Sequence, residues 1–161
     1  ALHAVAGENG VGRVDHVENR LVGIKSREIY EAPAATVLLN AHAALQDLVL
    51  TKDQLRFKSM VAVHYADLIY NGLWFSGLRH NLAAFVDSTQ EFVTGTVRVK
   101  LFKGTCTVVG RKSPHSLYDI SLATYDKGDT FNQADSPGFI RLWGLPSRIQ
   151  ARAQSGALGE D

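Results

Sequence analysis

Three features of this sequence predict an α+β fold, with several helices packed on a mostly antiparallel sheet and a helical segment at the C-terminus. Apolar residues recur at spacings of three and four between Pro33 and Glu91, as on one face of a helix. Between Thr96 and Val109 the pattern changes to strict alternation and β-branched side chains, as on a half-covered strand. A third stretch, Arg13 to Glu31, is dense in charge, yet Val14, Val17, Leu21 and Ile24 are interleaved through it.

In chain order, Leu2, Val5 and Ala6 sit at helical spacing and stop at Gly10, so Ala1 to Asn9 reads as the tail of a helix. Gly12 to Arg20 reads as a strand, followed by a loop through Gly23 and a second extended piece near Tyr30. Pro33 opens a helix whose stripe is Val37, Leu38, Ala41, Leu45 and Leu48. Thr51 and Gln54 form a capping box at the head of the next helix. That helix ends near Asn71-Gly72, and its apolar residues occupy more than one face, which predicts a central, well-buried position. A third helix near Gly77 to Glu91 places Leu78, Leu82, Phe85, Val86 and Thr89 on one side.

Val97, Val99 and Leu101 then alternate with Thr96, Arg98, Lys100 and Phe102. Lys103-Gly104 supplies a turn, and Thr105 to Val109 returns as a strand. A further short strand is expected around Ile120 to Tyr125, closed by Lys127-Gly128-Asp129. Ser136-Pro137 has the form of an N-cap followed by proline in the first turn, with Phe139, Ile140 and Trp143 on the apolar face. Pro146 must break or restart that helix, and Ser155 to Asp161 reads as a frayed end.

The 161 residues suit one domain of ordinary size. Seventeen basic and sixteen acidic residues leave a net charge of +1, and 45% are hydrophobic, a balance that excludes the disordered classes. No window approaches the ~18 consecutive apolar residues of a membrane span. The first residues lack the features of a secretory signal and also lack methionine, which suggests a fragment or processed product. Cys106 is the only cysteine, so there is no internal disulfide and no multi-thiolate zinc site, and a reduced, cytoplasmic setting fits best.

Several segments imitate known chemistry. Gly23-Ile24-Lys25-Ser26 and the Gly104 to Ser113 stretch resemble a phosphate-binding loop, but both miss the spacing, and neither reads as a strand opening into a helix. His16-Val17-Glu18 echoes the zinc deaminases without their paired cysteines, and His64 with Asp67 reads as an ordinary helix-face contact. No metal site and no catalytic residue is assigned. Between Glu91 and Asp119 there is no carboxylate, while Arg98, Lys100, Lys103, Arg111 and Lys112 are all basic. Such a hairpin could meet a polyanion or simply be solvated. The charged stretch is the most informative: Arg13, Asp15, Glu18, Arg20, Lys25, Arg27, Glu28 and Glu31 suit recognition of a zwitterion or a surface ladder of ion pairs. Within it, Glu18 offers an anion to an ammonium or ureido N–H, and Tyr30 offers a hydroxyl.

Five ordered blocks carry a resemblance: Gly12-Arg13-Val14-Asp15-His16-Val17-Glu18-Asn19-Arg20 through Tyr30-Glu31; Leu68-Ile69-Tyr70-Asn71-Gly72-Leu73-Trp74; Thr94-Gly95-Thr96-Val97-Arg98; Val109-Gly110-Arg111-Lys112-Ser113-Pro114 with Ser116-Leu117-Tyr118; and Gly138-Phe139-Ile140. Together they resemble the argininosuccinate synthase family, over nearly the whole chain and in its C-terminal portion. The resemblance implies an ATP-dependent ligase of arginine biosynthesis or the urea cycle. In that reaction citrulline is adenylylated with release of pyrophosphate, and aspartate then displaces AMP to give argininosuccinate. It implies an α+β synthetase (citrulline-binding) domain over 1–134 and a C-terminal oligomerisation arm over 135–161. The N-terminal nucleotide-binding domain would lie outside this sequence and would hold ATP with Mg2+.

The resemblance places the family's citrulline-contacting glutamate at Glu18 and its partner tyrosine at Tyr30. It further implies citrulline, aspartate and ATP as ligands, a homotetramer in the cytoplasm, and no membrane. The chain departs from the pattern at Glu28, where many members carry glycine, at His16, where an apolar residue is usual, and at Leu145-Pro146-Ser147, which interrupts the terminal segment. Two other classes stay open: a non-catalytic assembly module derived from such a domain, and, ranked last, a nucleic-acid-binding module using the Arg98 to Lys112 hairpin.

Overall fold

The structure, a computed structural model, describes residues 1–122, 130 and 132–155. The chain divides into two compact units, Ala1–Tyr118 and a second that begins at Asp119. Among the described residues there are six α-helices and two antiparallel hairpins, which makes the fold α+β as the periodicities predict. The antiparallel strands form two separate two-stranded sheets.

In the first unit, α1 (Leu2–Glu8) buries Ala6, and the chain then doubles back so that Val11 N–H donates to the Ala6 carbonyl at 3.0 Å. β1 (Arg13–Asn19) and β2 (Lys25–Glu31) form the first hairpin. Its base is closed by Ala32 N–H donating to the Gly12 carbonyl at 2.8 Å. α2 (Pro33–Val49) starts at once, with proline in its first turn, where the missing N–H is no loss. Its inward residues include Val37, Ala41, Leu45 and Leu48, as the stripe predicts, but Leu38 is exposed because only one side of α2 is covered.

α3 (Lys52–Tyr70) begins with the expected capping box, Gln54 N–H to Thr51 Oγ1 at 3.3 Å and Thr51 N–H to Gln54 Oε1 at 2.9 Å. The expectation that α3 is central and well buried is corrected: Val61 is its only buried residue, while Met60 and Val63 are 57% and 62% exposed. α3 packs on α4 (Gly77–Thr89) along one side, where Phe57 meets Phe85 edge-on at 5.2 Å. Its other apolar faces are left uncovered within this unit.

β3 (Thr96–Phe102) and β4 (Thr105–Lys112) form the second hairpin, turned by Lys103 and Gly104 with φ of 45° and 84°. Positive φ at both central residues gives the tight turn whose twist matches that of the strands. The predicted alternation holds: Val97, Val99 and Leu101 turn inward, and Thr96, Arg98, Lys100 and Phe102 outward. Val99, Leu101 and Cys106 pack on a small core of Ala6, Val11 and Val37, so that α1, α2 and this hairpin form one body. Two polar ties add to it. Gly104 N–H donates to the Asn9 carbonyl at 2.7 Å, and Arg111 Nη1 donates to the Ala44 carbonyl at 3.2 Å.

In the second unit, half of the short strand expected around Ile120 to Tyr125 lies at 123–125, outside the described residues, and its first half, Ile120 to Leu122, is a turn. Leu122 N–H bonds the Asp119 carbonyl at 3.2 Å in a turn. Ser136 proves to be the first residue of α5 (Ser136–Trp143) rather than its cap. A 3-10 turn, Gln133–Asp135, runs directly into the helix, so capping moves upstream to Asn132, whose side chain accepts from Ala134 N–H at 3.2 Å. The chain restarts as α6 (Leu145–Gln154) with Pro146 in its first turn, as that proline requires.

Two expected outcomes follow for the first unit. Gly12 has φ of +88°, and a Cβ there would lie 2.6 Å from the backbone N and Cα of Pro33. Gly12→Ala is therefore expected to lower stability by about 1–3 kcal/mol, through strain and a backbone shift at the hairpin base, read as an earlier urea midpoint. On the outer face of the first hairpin, the Arg27 guanidinium holds the Asp15 carboxyl below its ordinary value, bonding it at 2.8 Å. A depressed carboxylate pKa stabilises the fold above the unfolded value and is lost as pH falls through the folded one. Asp15→Asn should therefore flatten part of the acid limb below about pH 4 in midpoints measured from pH 6 to pH 2.

Candidate functional site

The site is built on the first hairpin. Its register pairs Val14 with Tyr30, His16 with Glu28, and Glu18 with Ser26. Residues directly opposite in an antiparallel pair project to the same side, and alternate residues along a strand share a face. Val14, His16, Glu18, Ser26, Glu28 and Tyr30 therefore form one face. The reverse face carries the ladder Arg13–Glu31, Asp15–Arg27 and Asn19–Lys25. The turn that fixes this register is short: Gly23 N–H donates to the Arg20 carbonyl at 2.7 Å, and Arg20 N–H donates to the Ile24 carbonyl at 2.7 Å. At the same end, the Tyr70 hydroxyl of α3 donates to the Asn19 carbonyl at 3.1 Å and ties the tip of β1 to the end of that helix.

Glu18 and Tyr30, the two residues singled out in the sequence, thus lie on one face. The Glu18 side chain is 17% exposed. Ser26 Oγ donates to its Oε1 at 3.4 Å, and Arg20 Nη1 stands 3.8 Å from the same oxygen. Tyr30 is 45% exposed, and its ring lies 6.2 Å from that of His16, tilted toward it. Partial burial, followed by the negative charges of Glu18 and Glu28, pushes the Tyr30 hydroxyl above its ordinary value, with Arg20 pulling the other way. The phenol accordingly stays protonated, and able to donate, throughout the neutral range. A fixed carboxylate and a protonated phenol on one strand pair can accept N–H groups and donate to a single acceptor, which is recognition of a polar small molecule rather than bond-making chemistry.

Ser26 and Glu28 on this face, and Arg20 at the turn beside it, were given no individual role in the sequence reading. Arg20 Nη2 donates to Glu28 Oε1 at 3.2 Å. Their charges are visible in the sequence, but only the pairing register tells which of the charged residues between Arg13 and Glu31 meet. The remaining candidates are not brought to this face. Gly23 to Ser26 turns directly into β2, and Gly104 to Ser113 is a turn followed by β4, so neither opens a helix toward a phosphate. His64 and Asp67 lie along α3. Of the basic hairpin, Arg98 and Lys100 face outward, whereas Arg111 turns onto α2, 3.9 Å from Asp47. Lys100 and Lys103 flank the exposed Phe102 ring at 5.8 and 5.3 Å.

Comparison with known proteins matches the family model described as "Arginosuccinate synthase C-terminal domain" over residues 1–150. Argininosuccinate synthase of Dehalococcoides mccartyi (strain CBDB1) is 64% identical over 153 residues, covering 95% of this chain and 38% of that protein. Argininosuccinate synthase of Staphylococcus aureus (strain JH9) is 57% identical over 159 residues, covering 99% of this chain and 40% of that protein. The chain spans about two fifths of the length of these relatives. With the family model covering most of its residues, and with the predicted glutamate and tyrosine on one face of its first hairpin, the chain belongs to the argininosuccinate synthase C-terminal domain family.

Proposed function

We propose that this chain is the part of an ATP-dependent carbon–nitrogen ligase that completes the citrulline site. In the reaction, the ureido oxygen of citrulline attacks the α-phosphorus of ATP, and pyrophosphate leaves. The amine of aspartate then attacks the ureido carbon of the citrullyl-adenylate, and AMP departs with the oxygen, giving argininosuccinate. Glu18 accepts from the N–H groups of citrulline, and Tyr30 donates its hydroxyl to a ligand oxygen and orients the molecule. Both are positioning roles, which lower a barrier by holding the reactants in attacking geometry.

The observation that carries this reading is the shared face of Glu18 and Tyr30, with the phenol kept protonated. Neither glycine–lysine segment opens a helix, and among the described residues no group of three or more His, Cys, Asp or Glu could hold a metal ion. The assignment of ATP and Mg2+ to an N-terminal nucleotide-binding domain rests on the family resemblance and belongs to the same proposal.

The arm over 135–161 and a cytoplasmic homotetramer belong to the same proposal. In their support, Phe139, Ile140 and Trp143 of α5 are all exposed, with the Phe139 and Trp143 rings stacked 5.5 Å apart. An apolar helix face of this kind is stabilised by burial against other polypeptide. No helix among the described residues is long and apolar enough to cross a membrane.

In the full-length protein, Glu18→Gln should raise the KM for citrulline by about 10- to 100-fold, the scale of one charge-assisted hydrogen bond. Tyr30→Phe should raise it by about 2- to 10-fold, the scale of a neutral one, with the KM for ATP little changed in both. Steady-state kinetics with citrulline as the varied substrate checks this. Unchanged constants in both variants remove the assignment and leave an assembly role. The purified 161-residue chain alone should release no pyrophosphate from ATP in the presence of citrulline; citrulline-dependent release would overturn the division of labour.

A further inference from the structure

We infer that Glu28 is a positioning residue that keeps Arg20 off Glu18 and so leaves the Glu18 carboxylate available to ligand. The inference rests on the citrulline-site reading of the first hairpin and deepens it. Its basis is the unequal sharing of one guanidinium between two carboxylates. Arg20 donates to Glu28 Oε1 at 3.2 Å through Nη2, a hydrogen bond, while its Nη1 stands 3.8 Å from Glu18 Oε1, beyond hydrogen-bond range.

Glu28 and Glu18 share the site face as diagonal cross-strand neighbours, so one flexible side chain at the hairpin turn can reach either. Glu18 is the less exposed carboxylate of the two, at 17% against 43% for Glu28. The ion-pair and hydrogen-bond contacts that Glu18 receives from Arg20 and Ser26 both fall on Oε1, and the Tyr30 hydroxyl also interacts with this carboxylate. A guanidinium is a planar fork that fits both oxygens of a carboxylate at once. Without a competing anion, Arg20 would close on Glu18 and occupy the oxygens a ligand N–H needs. Glu28 supplies that competing anion.

The test is citrulline binding and kinetics in the full-length protein. Glu28→Gln removes the competing charge and should raise the citrulline KM and Kd by roughly two- to fivefold, the scale of one partly exposed ion pair, with kcat little changed. Glu28→Asp retains the charge and should keep most of the wild-type affinity. The double variant Arg20→Gln with Glu28→Gln should recover affinity relative to Glu28→Gln alone, because the guanidinium that would cap Glu18 is gone. A structural role for Glu28 would not produce that recovery. If Glu28→Gln leaves citrulline KM and Kd unchanged, or the double variant binds no better than the single one, the inference is overturned. In either case a raised KM in Glu18→Gln would leave the citrulline-site reading standing, and an unchanged Glu18→Gln would remove both.

Discussion

The pairing register of the first hairpin is the constraint on which the site depends. Strand side chains alternate strictly between faces, so a slip of one residue would carry Tyr30 to the opposite side from Glu18. The register is set where the chain reverses, by the two backbone hydrogen bonds between Arg20 and Ile24 and by a left-handed glycine at position 23. An isolated two-stranded hairpin is marginal in water, so this one needs support at both ends. Gly12 supplies it at the base, where close approach to Pro33 joins the hairpin to α2. Tyr70 supplies it at the tip, through its bond to the Asn19 carbonyl.

The two faces of the hairpin solve different problems. The outer one neutralises its charges pairwise, Arg13 with Glu31 and Arg27 with Asp15, in exposed contacts of the kind that contribute little to stability. The inner one leaves charge incompletely balanced: two carboxylates share a single guanidinium, beside a phenol that their charges help to keep protonated. Incomplete pairing is unfavourable for a surface that only has to be stable, and useful for one that must accept a polar ligand. The same contrast separates the two hairpins. β3–β4 packs Val99, Leu101 and Cys106 against Ala6, Val11 and Val37 and serves as scaffold, whereas β1–β2 is exposed along its outer face and only partly covered, at Glu18, Ser26 and Glu28, on the other.

Much of the exposed apolar surface belongs with this division. α3 was expected to be central because hydrophobic residues occupy more than one of its faces; in the first unit only the side against α4 is covered. Amphipathic patterning records which residues are buried somewhere in the working protein, and it does not record by what. The chain spans about two fifths of its relatives' length.

Sequence alone determined the local elements and singled out Glu18 and Tyr30 as candidate site residues. Helix periodicity, the Thr51–Gln54 box, the Lys103-Gly104 turn and the β3 alternation are short-range effects, fully specified by neighbours in the chain. The Glu18 and Tyr30 assignment came from a resemblance to a known family, since composition could not separate a recognition site from a ladder of surface pairs. The tertiary structure decided what depends on partners distant in sequence. It put Glu18 and Tyr30 on one face and joined Arg20 to Glu28, it divided the strands into two sheets, and it left α3 open on most of its surface. Those outcomes follow from hydrogen-bond register and from which surfaces meet, and both are properties of pairs of segments rather than of either segment by itself.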